Sequence, residues 1–92
     1  MKIRRSHELG LAAAREKIDH VAATLGSQYS LTSSWKGDHV RVEGNGVHGR
    51  ILVAPEFVEA EIQLGLPLMV MRRQIRSRIE DLMDEHFGRA QK

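Results

Sequence analysis

The sequence contains no cysteine among its 92 residues. Without thiols the chain can form neither a disulfide scaffold nor a thiolate metal site, and this composition fits a reducing compartment. We therefore expect a cytoplasmic protein.

The sequence also lacks an excess of charge of one sign and a long apolar run. Lys and Arg total 14 and Asp and Glu total 12, which gives a net charge of +2. Because a nucleic-acid-binding domain usually carries a more one-sided charge, the composition speaks against that class. No apolar run approaches the roughly 18 residues that a membrane span requires. The basic start "MKIRR" is followed by "SHELG" rather than by an apolar segment, so no targeting segment is predicted.

The chain length predicts a single domain that covers residues 1–92. Residues 9–25 have apolar side chains at three- and four-residue spacing and predict a helix that stops at Gly26. A second helical pattern covers residues 66–87, with Pro67 in its first turn and Gly88 as its C-cap. Residues 1–6 can add a short edge strand, and residues 89–92 are expected to form a flexible tail.

The segment between the two helices predicts four antiparallel strands joined by tight turns. Gly37-Asp38 and Asn45-Gly46 are hairpin-turn sequences, and a third reversal falls at Pro55-Glu56. The three turns independently place the large alternating apolar residues on one face, and a one-residue slip would move a strand's apolar set into water. These residues are Leu31, Trp35, Val40, Val42, Val47, Ile51, Val53, Val58, Ala60, Ile62 and Leu64.

The predicted fold class is therefore α+β, because the elements follow the order (β)-α-β-β-β-β-α. We expect a four-stranded antiparallel meander, with a fifth short strand at one edge and two helices packed on one face. The opposite face is polar, as is usual for an antiparallel sheet that is covered on one side.

Four stretches of the chain together resemble a known family: "IRRSH", "AREKIDHVA", "WKGDHVRVEGNGVHGRILVAP" and "LMDEHFG". They are similar to the polyhydroxyalkanoic acid system proteins, short bacterial proteins linked to storage-polyester granules by genomic neighbourhood. The resemblance spans nearly the whole chain. It implies a role in polyester synthesis, at the granule surface or in polymer turnover, and it brings no catalytic residues.

The second helix provides the main candidate for a partner-binding surface. Its start, "LPLMVM", is apolar nearly all round, which predicts either a core-facing helix end or an exposed patch for a second copy or a granule surface. Arginines follow it, and they either form an ordinary solvated helix face or bind an acidic partner, anionic head groups or nucleic acid. The candidate residues are Leu68, Met69, Val70, Arg72, Arg73 and Arg76.

The charges of this helix are ordered along the chain, with the basic residues first. Arg72, Arg73, Arg76 and Arg78 precede Glu80, Asp81, Asp84 and Glu85. This order opposes the helix dipole, which favours acidic residues at the start and basic residues at the end. A chain selected only for helix stability is not expected to have it.

A second candidate is an anion-binding spot on the polar face of the sheet. The predicted register places Arg41 directly opposite Arg50, where like charges repel each other. Glu43 and Glu61 can relieve that repulsion in a screened salt-bridge lattice, which is the simpler interpretation.

No catalytic, cofactor or metal site is predicted. The histidines show neither HxH nor HxxxH spacing, and the serines lack a G-x-S-x-G elbow. Glycines in "GNG" are explained by the hairpin turn, since no helix follows them to form a phosphate site.

The sequence favours a non-enzymatic accessory protein of the polyhydroxyalkanoate system. It would act at the granule surface or on a granule-associated protein. A helix-grip carrier of an acyl chain is the alternative, since two helices over a curled sheet can enclose a cavity. A nucleic-acid-binding regulator is a further alternative that the near-balanced charge disfavours.

Overall fold

The computed structural model describes residues 1–88, which form five strands and three helices. In chain order they are β1 (Lys2–Ser6), α1 (Leu11–Tyr29), β2 (Thr32–Lys36), β3 (His39–Gly44), β4 (Val47–Val53), β5 (Phe57–Leu64), α2 (Leu66–Met69) and α3 (Arg72–Phe87). The predicted tail at residues 89–92 lies outside the described residues.

The strands form one antiparallel sheet in the order β1-β5-β4-β3-β2. The predicted α+β class and antiparallel sheet are confirmed. Strands β2 to β5 pair consecutively, and β1 adds to the far edge of β5, with Ile3 opposite Ala60. The positions of the three predicted turns also imply the observed strand pairs. For example, Ile51 lies opposite both Val40 and Ala60.

Helices α1 and α3, together called the helix layer, cover one face of the sheet. The Cα atoms span only 17 Å in the thinnest direction, which corresponds to one sheet and one layer of helices. The interior between the layers is almost entirely aliphatic. It comprises Ile3, Ala14, Ile18, Val21, Ala22, Leu25, Val40, Val42, Val47, Ile51, Val53, Val58, Ala60, Ile62, Ile75, Ile79, Leu82 and Met83.

The prediction that α1 stops at Gly26 is wrong, because the helix continues to Tyr29. The left-handed residue is Ser30, at φ 57° and ψ 48°, and its N–H donates to the carbonyl of Gly26. The chain then folds back over the last turn, so that a Cβ on Gly26 would lie 3.0 Å from the carbonyl oxygen of Leu31. Gly26 therefore allows a close approach of backbone inside the helix rather than ending it.

The prediction of one continuous helix over residues 66–87 is also wrong, because the chain turns between α2 and α3. The N–H of Met71 donates to Leu68 over 2.9 Å, and the N–H of Ile75 then donates to Met71 over 2.9 Å. Leu68 packs beside Gly46 at the end of the sheet, whereas Ile75 enters the interior. The turn lets Leu68 and Ile75 reach these two different places, and it leaves Met71 40% exposed.

An ion pair joins the first strand to the last helix. The Nε of Arg5 lies 2.9 Å from Oδ1 of Asp84, and the Arg5 side chain is only 12% exposed. Arg5 shares the inward direction of Ile3 because the two residues are two apart in β1. The pair therefore fixes α3 against the edge of the sheet.

Candidate functional site

The turn between α2 and α3 exposes apolar side chains at one end of the domain. We call residues 66–71 the elbow. Leu66 is 86% exposed and Val70 is 88% exposed, while Met69 and Met71 are each about half exposed. Pro67 stands in the first turn of α2, where its missing N–H leaves no hydrogen bond unmade. A short helix followed directly by a turn thus holds these side chains outward.

Leu68 is the exception in the elbow and does not belong to the exposed surface. It is partly buried and packs against the interior beside Gly46, so it anchors α2 to the sheet. Of the predicted apolar contact residues, the structure therefore exposes Met69 and Val70, and it adds Leu66 and Met71.

The arginines that follow the elbow divide into exposed and paired groups. Arg72 and Arg73 are exposed and form no ion pair within the described residues. The Nε of Arg76 lies 3.2 Å from Glu80, and the Nε of Arg78 donates to Gln28 over 2.9 Å. The guanidinium groups of Arg72 and Arg73 thus lie next to the exposed apolar side chains, and their N–H groups can donate hydrogen bonds to a partner.

An open concavity of about 830 Å³ joins the elbow to the start of α3. Its lining combines apolar and guanidinium groups, which suits an amphipathic partner better than a small polar molecule. The lining residues are Met69, Val70, Met71, Arg72, Arg73, Gln74 and Arg76.

The predicted anion spot lies on the face of the sheet that the helix layer leaves uncovered. Arg41 and Arg50 are opposite each other, as predicted. Arg41 lies 2.6 Å from Glu43, and Arg50 lies 3.4 Å from Glu61. The shallow depression around them, of about 300 Å³, is also lined by His39, His48, Gly49 and Gln63. Because both guanidinium groups already face carboxylates, this site is largely neutralised.

Strand β1 extends the same charge lattice to the edge of the sheet. Lys2 lies 3.8 Å from Glu61, and Arg4 lies 3.8 Å from Glu59. The guanidinium of Arg4 also stacks 3.8 Å above the ring centroid of Phe57. The exposed ion pairs are individually weak, so the lattice sets the polarity of this face more than its stability.

The histidines do not form a metal centre in the part of the chain that the structure describes. The rings of His20 and His86 stack with centroids 6.3 Å apart and link α1 to α3. The Nε2 of His7 lies 3.0 Å from the carbonyl oxygen of Ala54. The stacked pair joins residues from different helices and was not predicted, since no spacing in the sequence indicates it.

The interior offers little room for a ligand. The apolar space between the layers measures about 10 Å³. A ligand site in a protein typically occupies about 300 Å³ or more. The close packing of the interior within residues 1–88 therefore argues against an enclosed acyl chain. The space is lined by Leu25, Tyr29, Leu31, Val42, Val47, Ile62, Ile75 and Ile79. Within residues 1–88, none of the three helices combines the length and the apolar composition that a membrane span needs.

These features define a small α+β domain with one sheet, one covering helix layer and an exposed apolar elbow. A family model described as "Putative polyhydroxyalkanoic acid system protein" matches residues 1–87, and the chain belongs to this family. The resemblance read from the sequence is thereby confirmed.

Among solved structures, the chain is similar to PA4090 from Pseudomonas aeruginosa, which was determined by NMR. The TM-score is 0.57 at 10% sequence identity, over 91% of this chain and 79% of that chain. At this identity the likeness concerns the fold alone. None of the curated proteins matches the chain.

Proposed function

We propose that this protein is an accessory binding protein of the polyhydroxyalkanoate system that attaches to the granule surface through its elbow. Membership of the family supports the polyester context. The observation that carries the proposal is the exposure of Leu66, Met69, Val70 and Met71 next to Arg72 and Arg73. Apolar side chains grouped this way on a small domain mark an interaction surface.

The chemistry of the elbow matches a boundary between an apolar polymer and water. Val70 and Met69 would enter the apolar phase, since burying a fully exposed side chain of this size releases about 1.5–3 kcal/mol. Val70 would gain most of this and Met69 about half, because Met69 is 48% exposed. Methionine is unbranched and adapts to an irregular surface. Arg72 and Arg73 would remain in water and pair with carboxylate or other anionic groups there.

The double substitution Met69→Ser and Val70→Ser tests this attachment. We expect binding to purified granules in co-sedimentation to fall about tenfold or more, because a factor of ten needs only about 1.4 kcal/mol. The melting temperature should stay close to that of the unchanged protein, since both side chains are outside the interior.

A matched control is available at the start of α1. Leu9 and Leu11 are also exposed, at 42% and 43%, so Leu9→Ser with Leu11→Ser removes a comparable apolar pair elsewhere. This control should bind granules normally. Equal binding of the elbow variant and the control would refute the proposal. Granules stripped of protein by protease distinguish the two targets: retained binding indicates the polymer boundary, and lost binding indicates a granule-associated protein.

A further inference from the structure

One face of α3 carries a ridge of exposed residues that shares only Arg73 with the surface proposed for attachment to granules. Arg73, Ser77, Asp81 and Glu85 follow one another at four-residue spacing, and all four are exposed. They lie on the side of α3 opposite to Ile75 and Ile79, which pack in the interior. The ridge therefore points away from the sheet, on the outside of the helix layer.

The charges on this ridge have no ion-pair partners elsewhere in residues 1–88. Arg76, Asp84 and Arg5 are engaged within the domain, whereas Arg73 and Asp81 are not. Arg73 and Asp81 are eight residues apart on one helix, about 12 Å along its axis, so they cannot pair with each other. A basic end and an acidic end are thus both exposed, separated by the short side chain of Ser77.

We propose that this ridge binds a second copy of the same chain, with the two α3 helices antiparallel and crossing at Ser77. A two-fold axis through Ser77 places Arg73 of each copy against Asp81 of the other, because the two residues are equidistant from position 77. Ridges formed by residues four apart pack against each other at a common crossing angle. The small serine at the crossing point lets the helices approach.

The surroundings of the ridge are compatible with this contact. Next to α3, helix α1 exposes Ala23 and Ser27, which are short. A parallel arrangement would instead place arginine against arginine and aspartate against aspartate, which is unfavourable. The arrangement also accounts for the segregation of basic and acidic residues along α3. Antiparallel pairing requires that basic and acidic residues occupy opposite ends of the ridge, as they do here, although either order along the helix would serve.

Charge reversal at the two positions tests the pairing by sedimentation equilibrium at micromolar to millimolar protein. The unchanged chain should show a monomer–dimer equilibrium that weakens with added salt, since exposed charges are screened. Arg73→Glu alone and Asp81→Arg alone should each raise the dissociation constant at least about tenfold, because like charges then face each other twice. The double variant Arg73→Glu with Asp81→Arg should restore the dimer.

Mixing the two single variants is the sharpest arm of the experiment. In a heterodimer, the glutamate introduced at position 73 of one copy would face the arginine introduced at position 81 of the other. The native Asp81 of the first copy would face the native Arg73 of the second. The mixture should therefore dimerise at concentrations where each variant alone is monomeric. Lys36→Glu changes the net charge as Arg73→Glu does, at an exposed position on β2, and should leave the dimer unchanged.

Misfolding of the variants would not explain loss of the dimer in Arg73→Glu followed by its recovery in the double variant and in the mixture. Arg73→Glu places an acidic residue in the first turn of α3, where the dipole favours it, so thermal stability should not fall. A monomer at every concentration of the unchanged chain would overturn the proposal, and so would failure of the double variant and of the mixture to dimerise. Arg73 belongs to both surfaces, but Asp81→Arg changes only the ridge, and Met69→Ser with Val70→Ser changes only the elbow, so the two proposals can fail separately.

Discussion

Replacing Ile51 with alanine is expected to lower the free energy of unfolding by about 2–5 kcal/mol. Ile51 is fully buried in β4 and lies between Val40 of β3 and Ala60 of β5. These neighbours are too short to fill the space that the truncated side chain would leave. A domain of this kind has a total stability of only about 5–15 kcal/mol, so the loss would be a large part of it.

Urea denaturation followed by circular dichroism measures this effect as a lower midpoint at an unchanged slope. Leu52→Ala is the matched control, because Leu52 is the next residue and points to the uncovered face. Its cost should be about 1 kcal/mol or less, as for most partly exposed positions. Similar losses at both positions would contradict the structure, because they would mean that both faces of β4 are covered to the same extent.

Replacing Gly49 with alanine is expected to destabilise the protein by about 1–3 kcal/mol through overpacking. Gly49 lies opposite Ile62, and a Cβ at this position would come 2.4 Å from the Cδ1 of Ile62 and 2.8 Å from the carbonyl oxygen of Glu61. The methyl of Ile62 can move, but the backbone carbonyl is fixed in the sheet. The strand would therefore shift locally.

A double-mutant cycle with Ile62→Val separates crowding from other effects of the alanine. Valine lacks the Cδ1 atom, so Gly49→Ala should cost less in the Ile62→Val background than in the unchanged protein. The expected coupling is about 0.5–3 kcal/mol, measured from thermal or urea denaturation of all four proteins. Strict additivity would show that the contact with Ile62 is not the cause.

The register of the sheet was predictable because three turns constrain it independently. Asn45-Gly46 adopts positive φ at both residues, which is the geometry that this dipeptide favours in a hairpin. Once the turns are placed, the alternation of Val40, Val42 and Ile51 determines which face is covered. Turn chemistry and alternation are local properties, so the sequence contains them directly.

The ends of the helices depend on contacts between distant residues, and there the sequence predictions failed. Gly26 looks like a helix stop, yet its role is to admit the carbonyl of Leu31. The break at Met71 arises because Leu68 and Ile75 must reach different parts of the sheet. Neither requirement is visible in a helical spacing.

The candidate surface was predicted in part. The apolar residues in "LPLMVM" left both a core-facing helix end and an exposed patch open, and the structure exposes Met69 and Val70. Leu68 was included because the pattern cannot distinguish a residue that anchors the elbow from one that projects from it. The pairs Arg5–Asp84 and Arg76–Glu80 distinguish the outward ridge of α3 from the neighbouring charges, and helical spacing alone does not assign them.

The two outer strands determine how far the sheet can grow. Strand β1 carries Lys2, Arg4 and Arg5, while β2 is short and rich in serine and threonine and ends at Lys36. Charged and short strands at the borders of a sheet discourage a further chain from adding to it by backbone hydrogen bonds. Fibril-like growth by addition of further strands is thereby opposed at both borders of the sheet.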